Sequence, residues 1–184
     1  MDQLDIADVQ GCLQGDGEAY ARIVSRHQQQ IATRMWRFTR DRQNLEELVQ
    51  EVFVEAYTNL RSFKGTGPFS HWLNAIATRV GYRFWKRKKQ LAGKTINLQD
   101  WDLPAMAREE KPDPREAGEV LHVLLGQLPP RDRLVLTLMY LEELPLARIA
   151  EQTGWSLTMV KVQAYRARRK LRVLLEKKGI TDLS

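Results

Sequence analysis

Apolar residues recur at three- and four-residue steps along most of the chain, and no stretch alternates with the period of two expected of a half-buried strand. The pattern predicts an all-α protein. Its first stripe runs through Tyr20, Ile23, Val24, Ile31, Met35 and Phe38, on a helix that Asp16 is placed to cap. His27 falls on the same stripe; with no second ligand four residues on, it reads as a core or boundary histidine. In NLEELVQEVFVEAYTNL the expected N-cap is Asn44, with Glu47 three residues later completing a capping box. Leu45, Leu48, Val49, Val52, Phe53, Ala56 and Leu60 form the buried stripe of this second helix. Glu46, Glu47, Gln50, Glu51 and Glu55 form its other face, which by itself reads as solvation.

After the loop SFKGTGP, Pro68 suits the first turn of a third helix, where a missing N–H costs nothing. Phe69, Trp72, Leu73, Ile76, Val80 and Phe84 share one side of it. At about 100° per residue, Trp85 falls roughly opposite Ile76 and Tyr82 also lies off the stripe, so both aromatics are expected to face away from the core. From Gln90 to about Arg115 the periodicity dissolves, with Gly93, Pro104, Pro112 and Pro114 as breakers, which predicts a flexible linker. Trp101, Leu103 and Met106 within it are apolar enough to dock. Periodicity resumes with Val120, Leu121, Leu124 and Leu125, a turn at Leu128-Pro129-Pro130, and a helix started by Pro130 that buries Leu134, Val135, Leu138 and Met139. Two small helical domains follow, at 1–89 and 116–184, with the linker at 90–115.

With 184 residues of which 43% are hydrophobic, the chain has enough apolar material for packed cores in both domains. The net charge of +6 favours an anionic partner, and its distribution says where. Arg79, Arg83, Lys86, Arg87, Lys88 and Lys89 follow one another on the third helix, with no acidic residue before Asp100. Cations interleaved with Tyr82 and Trp85 match single-stranded nucleic acid, which takes stacking platforms and phosphate partners. A basic helix end is also favourable with the helix dipole, but the dipole gives the aromatics no role.

One cysteine, Cys12, excludes an intramolecular disulfide and a Cys-x-x-Cys metal site, and reads as a small buried hydrophobe in a reducing compartment. No apolar run has secretory or membrane-spanning length, so a cytoplasmic protein without direct membrane insertion is expected. His27, His71 and His122 are scattered, and neither a nucleophile-base pair nor a phosphate-cradling glycine motif occurs. The chain therefore reads as a non-enzyme without metal or cofactor.

The motif with the clearest function lies in PLARIAEQTGWSLTMVKVQAYRAR. A helix-turn-helix needs a small residue at the helix crossing, a residue tolerant of positive φ in the turn and an apolar anchor under the second helix. Ala150, Gly154 and Val160 supply these in order. In the second helix, starting near Ser156 or Leu157, Val160, Ala164, Leu171, Leu174 and Leu175 point inward and Lys161, Arg168, Arg169 and Arg172 outward. Thr158, Lys161, Val162, Gln163 and Tyr165 are the candidate base readers, with Gln163 suited to adenine and Val162 to a thymine methyl. Arg166, Arg168 and Arg169 would anchor the backbone.

Taken together, NLEELVQEVFVEAY, SFKGTGPFSHWLNAIA and LPPRDRLVLTLMYLEELPLARIAEQTGWSLTMVKVQAYRARRKL resemble, over residues 16 to 175, a bacterial RNA polymerase sigma factor of the extracytoplasmic-function subfamily. The resemblance implies a transcription initiation factor made of sigma regions two and four, with no large domain between them. It turns the acidic face into a docking surface for the β′ clamp helices of core polymerase, through Glu47, Gln50, Glu51 and Glu55, with the β subunit as a further partner. It assigns the minus-ten element to Phe63, Lys64, Phe69 and Trp72 of the loop that receives an extruded base, and to Arg79, Tyr82, Arg83, Trp85, Lys86 and Arg87 beyond it. Ser156, Thr158, Lys161, Val162, Gln163, Tyr165, Arg166, Arg168 and Arg169 become the minus-thirty-five set. An anti-sigma factor, often membrane-anchored, is a further implied partner, and would hold the protein at the membrane.

Several positions depart from the family pattern. Where IAxN is common the chain has Ile76-Ala77-Thr78-Arg79, and Arg83 stands where aspartate is frequent. The common GTVKSR appears as Thr158-Met159-Val160-Lys161-Val162-Gln163. An alternative, a helix-turn-helix repressor or activator with an N-terminal sensor or dimerisation domain, accounts for the last third but not for the basic aromatic helix or the acidic face. A helical adaptor binding only proteins leaves the cations of the last helix unused.

Overall fold

The computed structural model describes residues 2–92 and 114–177, with side chains from 3 and from 118 onward. The described residues form helices and no strand: α1 (Asp2–Leu13), α2 (Gly17–Met35), α3 (Arg42–Thr58), a 3₁₀ turn (Leu60–Ser62), α4 (Phe69–Ala92), α5 (Pro114–Gly126), α6 (Pro130–Leu136), a π-turn (Thr137–Leu141), α7 (Leu146–Thr153) and α8 (Leu157–Lys177). They divide into two units, one chiefly within residues 1–85 and one chiefly within 86–150 and 155–184. Trp101, Leu103 and Met106 lie outside the described residues. No helix among those described is long and apolar enough to cross a membrane.

In the first unit α2 forms as its spacing predicts, burying Ile23, Ile31 and Met35, with the Asp16 carboxylate accepting from the Glu18 N–H at 2.9 Å. The start of α3 differs from expectation. Asp41, in extended conformation, is the N-cap and accepts from the Asn44 N–H at 2.7 Å. The helix begins one turn early because an aspartate carboxylate reaches the third N–H, leaving Asn44 inside the first turn.

Helix α1 carries no apolar stripe, and periodicity did not reveal it. Its Leu4 and Leu13 are exposed while Asp5 and Asp8 are buried. Both carboxylates face α2: Asp5 meets Arg26 Nε and His27 Nε2 at 3.0 Å each, and Asp8 meets Arg22 Nε at 2.8 Å and Arg26 Nη2 at 2.5 Å. Carboxylates leave water only when paired in this way. The hydrogen bond from Arg26 holds the Asp8 carboxyl below the ordinary carboxylate range, against the opposing effect of burial. His27, as expected, is a core residue, its ring 5.5 Å from that of Phe69.

Helix α4 buries Phe69, Leu73, Ile76, Val80 and Phe84 as its stripe predicts. Trp85 corrects the expectation. It is only 4% exposed, its ring lies 4.5 Å from that of Phe38, and its Nε1–H donates to the Phe38 carbonyl at 2.7 Å. The chain after α2 covers a second side of α4, so a residue off the main stripe is still in the core. Gly81 permits that approach: a Cβ there would fall 2.3 Å from the Phe38 ring.

In the second unit Leu125, Leu128, Leu136 and Ala167 form a buried cluster, against which Leu121, Met139, Leu141, Leu171 and Leu174 pack. Pro114, expected as a breaker inside the linker, is instead the first residue of α5, and Pro130 is the first of α6. Both sit where a helix has no use for the missing N–H. Gly154, at φ +74°, makes the turn between α7 and α8, which glycine adopts without strain. The Ser156 hydroxyl then accepts from the Met159 N–H at 3.2 Å and caps α8.

Candidate protein and nucleic-acid interfaces

The acidic face of α3 forms because its apolar stripe of Leu48, Val52, Phe53 and Ala56 is drawn into the core. Glu46, Glu47 and Gln50 are left exposed, Glu51 and Glu55 half-buried. From α4, Arg83 reaches both of the latter: its Nη2 lies 3.1 Å from Glu51 Oε1 and closer still to Glu55. The Glu55 carboxylate raises the Arg83 guanidinium above its ordinary range. Arg83 was expected to point to nucleic acid. The structure gives it to the acidic face, because two carboxylates one turn apart on α3 outcompete solvent for a forked cation.

At the start of α4, Phe63, Phe69 and Trp72 form an aromatic triangle with ring centroids 5.2, 5.3 and 5.7 Å apart. Phe69, only 1% exposed, is its floor and not a contact surface, which corrects its place in the expected set. Phe63 and Trp72 are half-buried and Lys64 is exposed on the loop beside them. This arrangement offers a flat base two apolar edges and a cation. Further along α4, Tyr82 is half-buried, and Arg79, Lys86, Arg87, Lys88 and Lys89 are exposed.

Sequence reasoning missed Trp36. This residue ends α2, is 40% exposed and lies 5.2 Å under the Arg40 guanidinium. Its neighbour Phe38 packs on Gly81 and Trp85, so the segment beside the basic half of α4 carries an exposed aromatic after all. Proximity to the apolar stripe hid it, since Trp36 stands between Met35 and Phe38 in sequence.

On α8, Val160, Ala164, Ala167 and Leu175 face the core. Thr158, Lys161, Val162, Tyr165, Arg166, Arg168 and Arg169 are exposed, Tyr165 at 70%. Val162, Tyr165, Arg166 and Arg169 line, with Leu128 and Pro129 of the turn between α5 and α6, a cleft of about 770 Å³. Gln163 does not join this face. It is half-buried, and its amide donates to Oδ1 of Asp132 on α6. Packing of α6 against α8 places a carboxylate where the helical wheel expects solvent or a base edge.

Comparison with known proteins gives the two units a context. The sigma-70 region 2 family model matches residues 23–90, and the sigma-70 region 4 model matches 118–171. The chain is 30% identical over 171 residues to the ECF RNA polymerase sigma factor SigW of Bacillus subtilis, covering 86% of this chain and 89% of that one. It is 29% identical over 177 residues to the ECF RNA polymerase sigma-E factor of Haemophilus influenzae, covering 89% and 91%. Among solved structures, CnrH in complex with the cytosolic domain of CnrY is similar at a TM-score of 0.60 and 24% identity, over 95% of this chain and 98% of that one. At that identity the likeness bears on the fold.

Proposed function

Because the chain belongs to the extracytoplasmic-function family of RNA polymerase sigma factors, we propose that it joins core polymerase through the acidic face of α3 and reads its promoters in two pieces. Sigma factors are initiation factors and not catalysts; the core enzyme supplies the chemistry. Glu47 and Gln50 are the outward residues of the docking face, and Glu51 and Glu55 meet the β′ clamp helices while sharing Arg83. The β subunit is a further contact.

The minus-ten element is taken as single strand. Extruding one base costs a few kcal/mol, which the pocket of Phe63, Lys64 and Trp72 offsets by stacking and charge. Arg79, Tyr82, Lys86 and Arg87 hold the strand beyond it. The minus-thirty-five element is taken as duplex in the major groove, with Thr158, Lys161, Val162 and Tyr165 toward base edges and Arg166, Arg168 and Arg169 toward phosphates. Ser156 acts from the helix start.

An anti-sigma factor is the regulator this reading expects, one that covers these faces and holds the protein inactive in the cytoplasm or at the membrane. A solved structure of similar fold, the sigma factor RpoE in complex with the anti-sigma factor NepR from Bartonella quintana, supports a regulator of that kind.

The observation that carries the reading is the outward row of Val162, Tyr165, Arg166 and Arg169 on a helix launched by the Gly154 turn. Run-off transcription with purified bacterial core polymerase and a promoter library tests it. The protein should associate with core and direct start-site selection. Tight duplex binding alone, with neither of these, would favour the repressor or activator alternative and end the initiation-factor reading.

A further inference from the structure

Asp132 lies in the first turn of α6 and is 1% exposed, yet it carries a carboxylate. Its two oxygens are divided between two residues of α8: Oδ1 accepts from the Gln163 amide and Oδ2 from the Lys170 ammonium at 2.6 Å. Gln163 and Lys170 are seven residues apart, two helical turns, and so share one face of α8. A buried carboxylate must be paired, and losing either partner leaves its desolvation uncompensated. The pair of contacts therefore resists rotation of α8 about its axis, which an apolar contact of the same area does not do, since apolar packing has little directionality.

We propose that Asp132 is a specificity-determining positioning residue: it sets the phase of α8 and withholds Gln163 and Lys170 from DNA. Gln163 carries the side chain best suited to a bidentate pair with adenine. Tied to Asp132, it makes no such pair, and base choice passes to Val162 and Tyr165, which are 44% and 70% exposed. Lys170, half-exposed, is likewise spent on the carboxylate and not on a phosphate. The proposal rests on α8 being the helix that enters the groove.

The test uses holoenzyme assembled from the full chain and core polymerase, transcribing a promoter library randomised in its upstream element. Wild-type start-site selection is the control; without it the initiation-factor reading itself fails, before any variant is compared. In Gln163→Ala the Lys170 contact still holds Asp132 and with it the phase of α8, so preference at every upstream position is expected to stay unchanged within about twofold. Asp132→Ala frees Gln163 and should create a new preference for adenine at one upstream position, roughly tenfold. Adding Gln163→Ala to that variant should abolish the new preference. Asp132→Asn keeps an acceptor for Gln163 but gives up the charge that holds Lys170. Its base preference should stay as wild type while the salt dependence of promoter binding steepens by about one counterion. A change of base preference in the Gln163→Ala single variant would overturn the proposal. So would a wild-type profile from a folded Asp132→Ala chain. Should Asp132→Ala fail to fold, Gln163→Ala and Asp132→Asn decide between the same outcomes.

Discussion

Helices α4 and α8 are both long, both basic along their second halves, and both candidates to touch nucleic acid, yet they treat their aromatic residues in opposite ways. On α4 the indole of Trp85 is folded under Phe38 and hydrogen-bonded to a backbone carbonyl. On α8 the phenol of Tyr165 stands 70% exposed. The difference lies in the number of neighbours. Phe38 closes over a flank of α4 that Gly81 leaves open, whereas on α8 Tyr165 lines an open cleft with Leu128 and Pro129. An aromatic among cations is thus a structural residue in one helix and a surface residue in the other, although both stand in a run of basic residues.

The largest expected effect that would break this contrast is on Trp85. Trp85→Ala removes a buried indole and orphans the Phe38 carbonyl, and should lower unfolding free energy by about 3–5 kcal/mol in denaturant titration. A loss below 1 kcal/mol would show that the indole is not core. Next comes Gly81→Ala, which drives a methyl into the Phe38 ring and should cost about 1–3 kcal/mol with a shift in tryptophan fluorescence. Unchanged stability and fluorescence would mean that Phe38 is free to move aside.

The ionic seam between α1 and α2 gives a smaller effect with a defined sign. Asp8 titrates below its unfolded value near 4, chiefly because Arg26 donates to it. Its contribution is therefore complete above pH 4 and is lost as pH falls through the lower folded value. Asp8→Asn should cost about 1–2 kcal/mol at neutral pH, discounted for the exposure of Arg22, and should flatten the acid limb of a stability–pH curve. An acid limb identical to wild type would remove Asp8 from that account. The smallest stability effect belongs to Tyr165→Ala, within about 0.5 kcal/mol. The same variant should reduce promoter-selective transcription several-fold, and a variant as active as wild type would take Tyr165 off the reading face.

The all-α class, the cap at Asp16, the helix start at Pro130 and the turn at Gly154 were legible because each depends on neighbours in sequence: a side-chain oxygen two residues from an N–H, a fixed φ, a missing Cβ. The order of blocks that marks the family was legible for the same reason, since spacing is a property of the chain. Helix α1 was not, because a row of carboxylates reads as solvated until Arg22, Arg26 and His27 are brought across from α2. Nor were the roles of Arg83 and Gln163, polar residues on an apparently free face. Their partners are 28 and 32 residues away for Arg83 and 31 for Gln163, on helices that only packing brings alongside. The sequence by itself determined the all-α class, the helices that carry an apolar stripe and the family they build. Only the tertiary structure decided which polar and aromatic side chains remain available to a partner, because hydrogen bonds and ion pairs are claimed by whichever group lies within about 3 Å, regardless of distance along the chain.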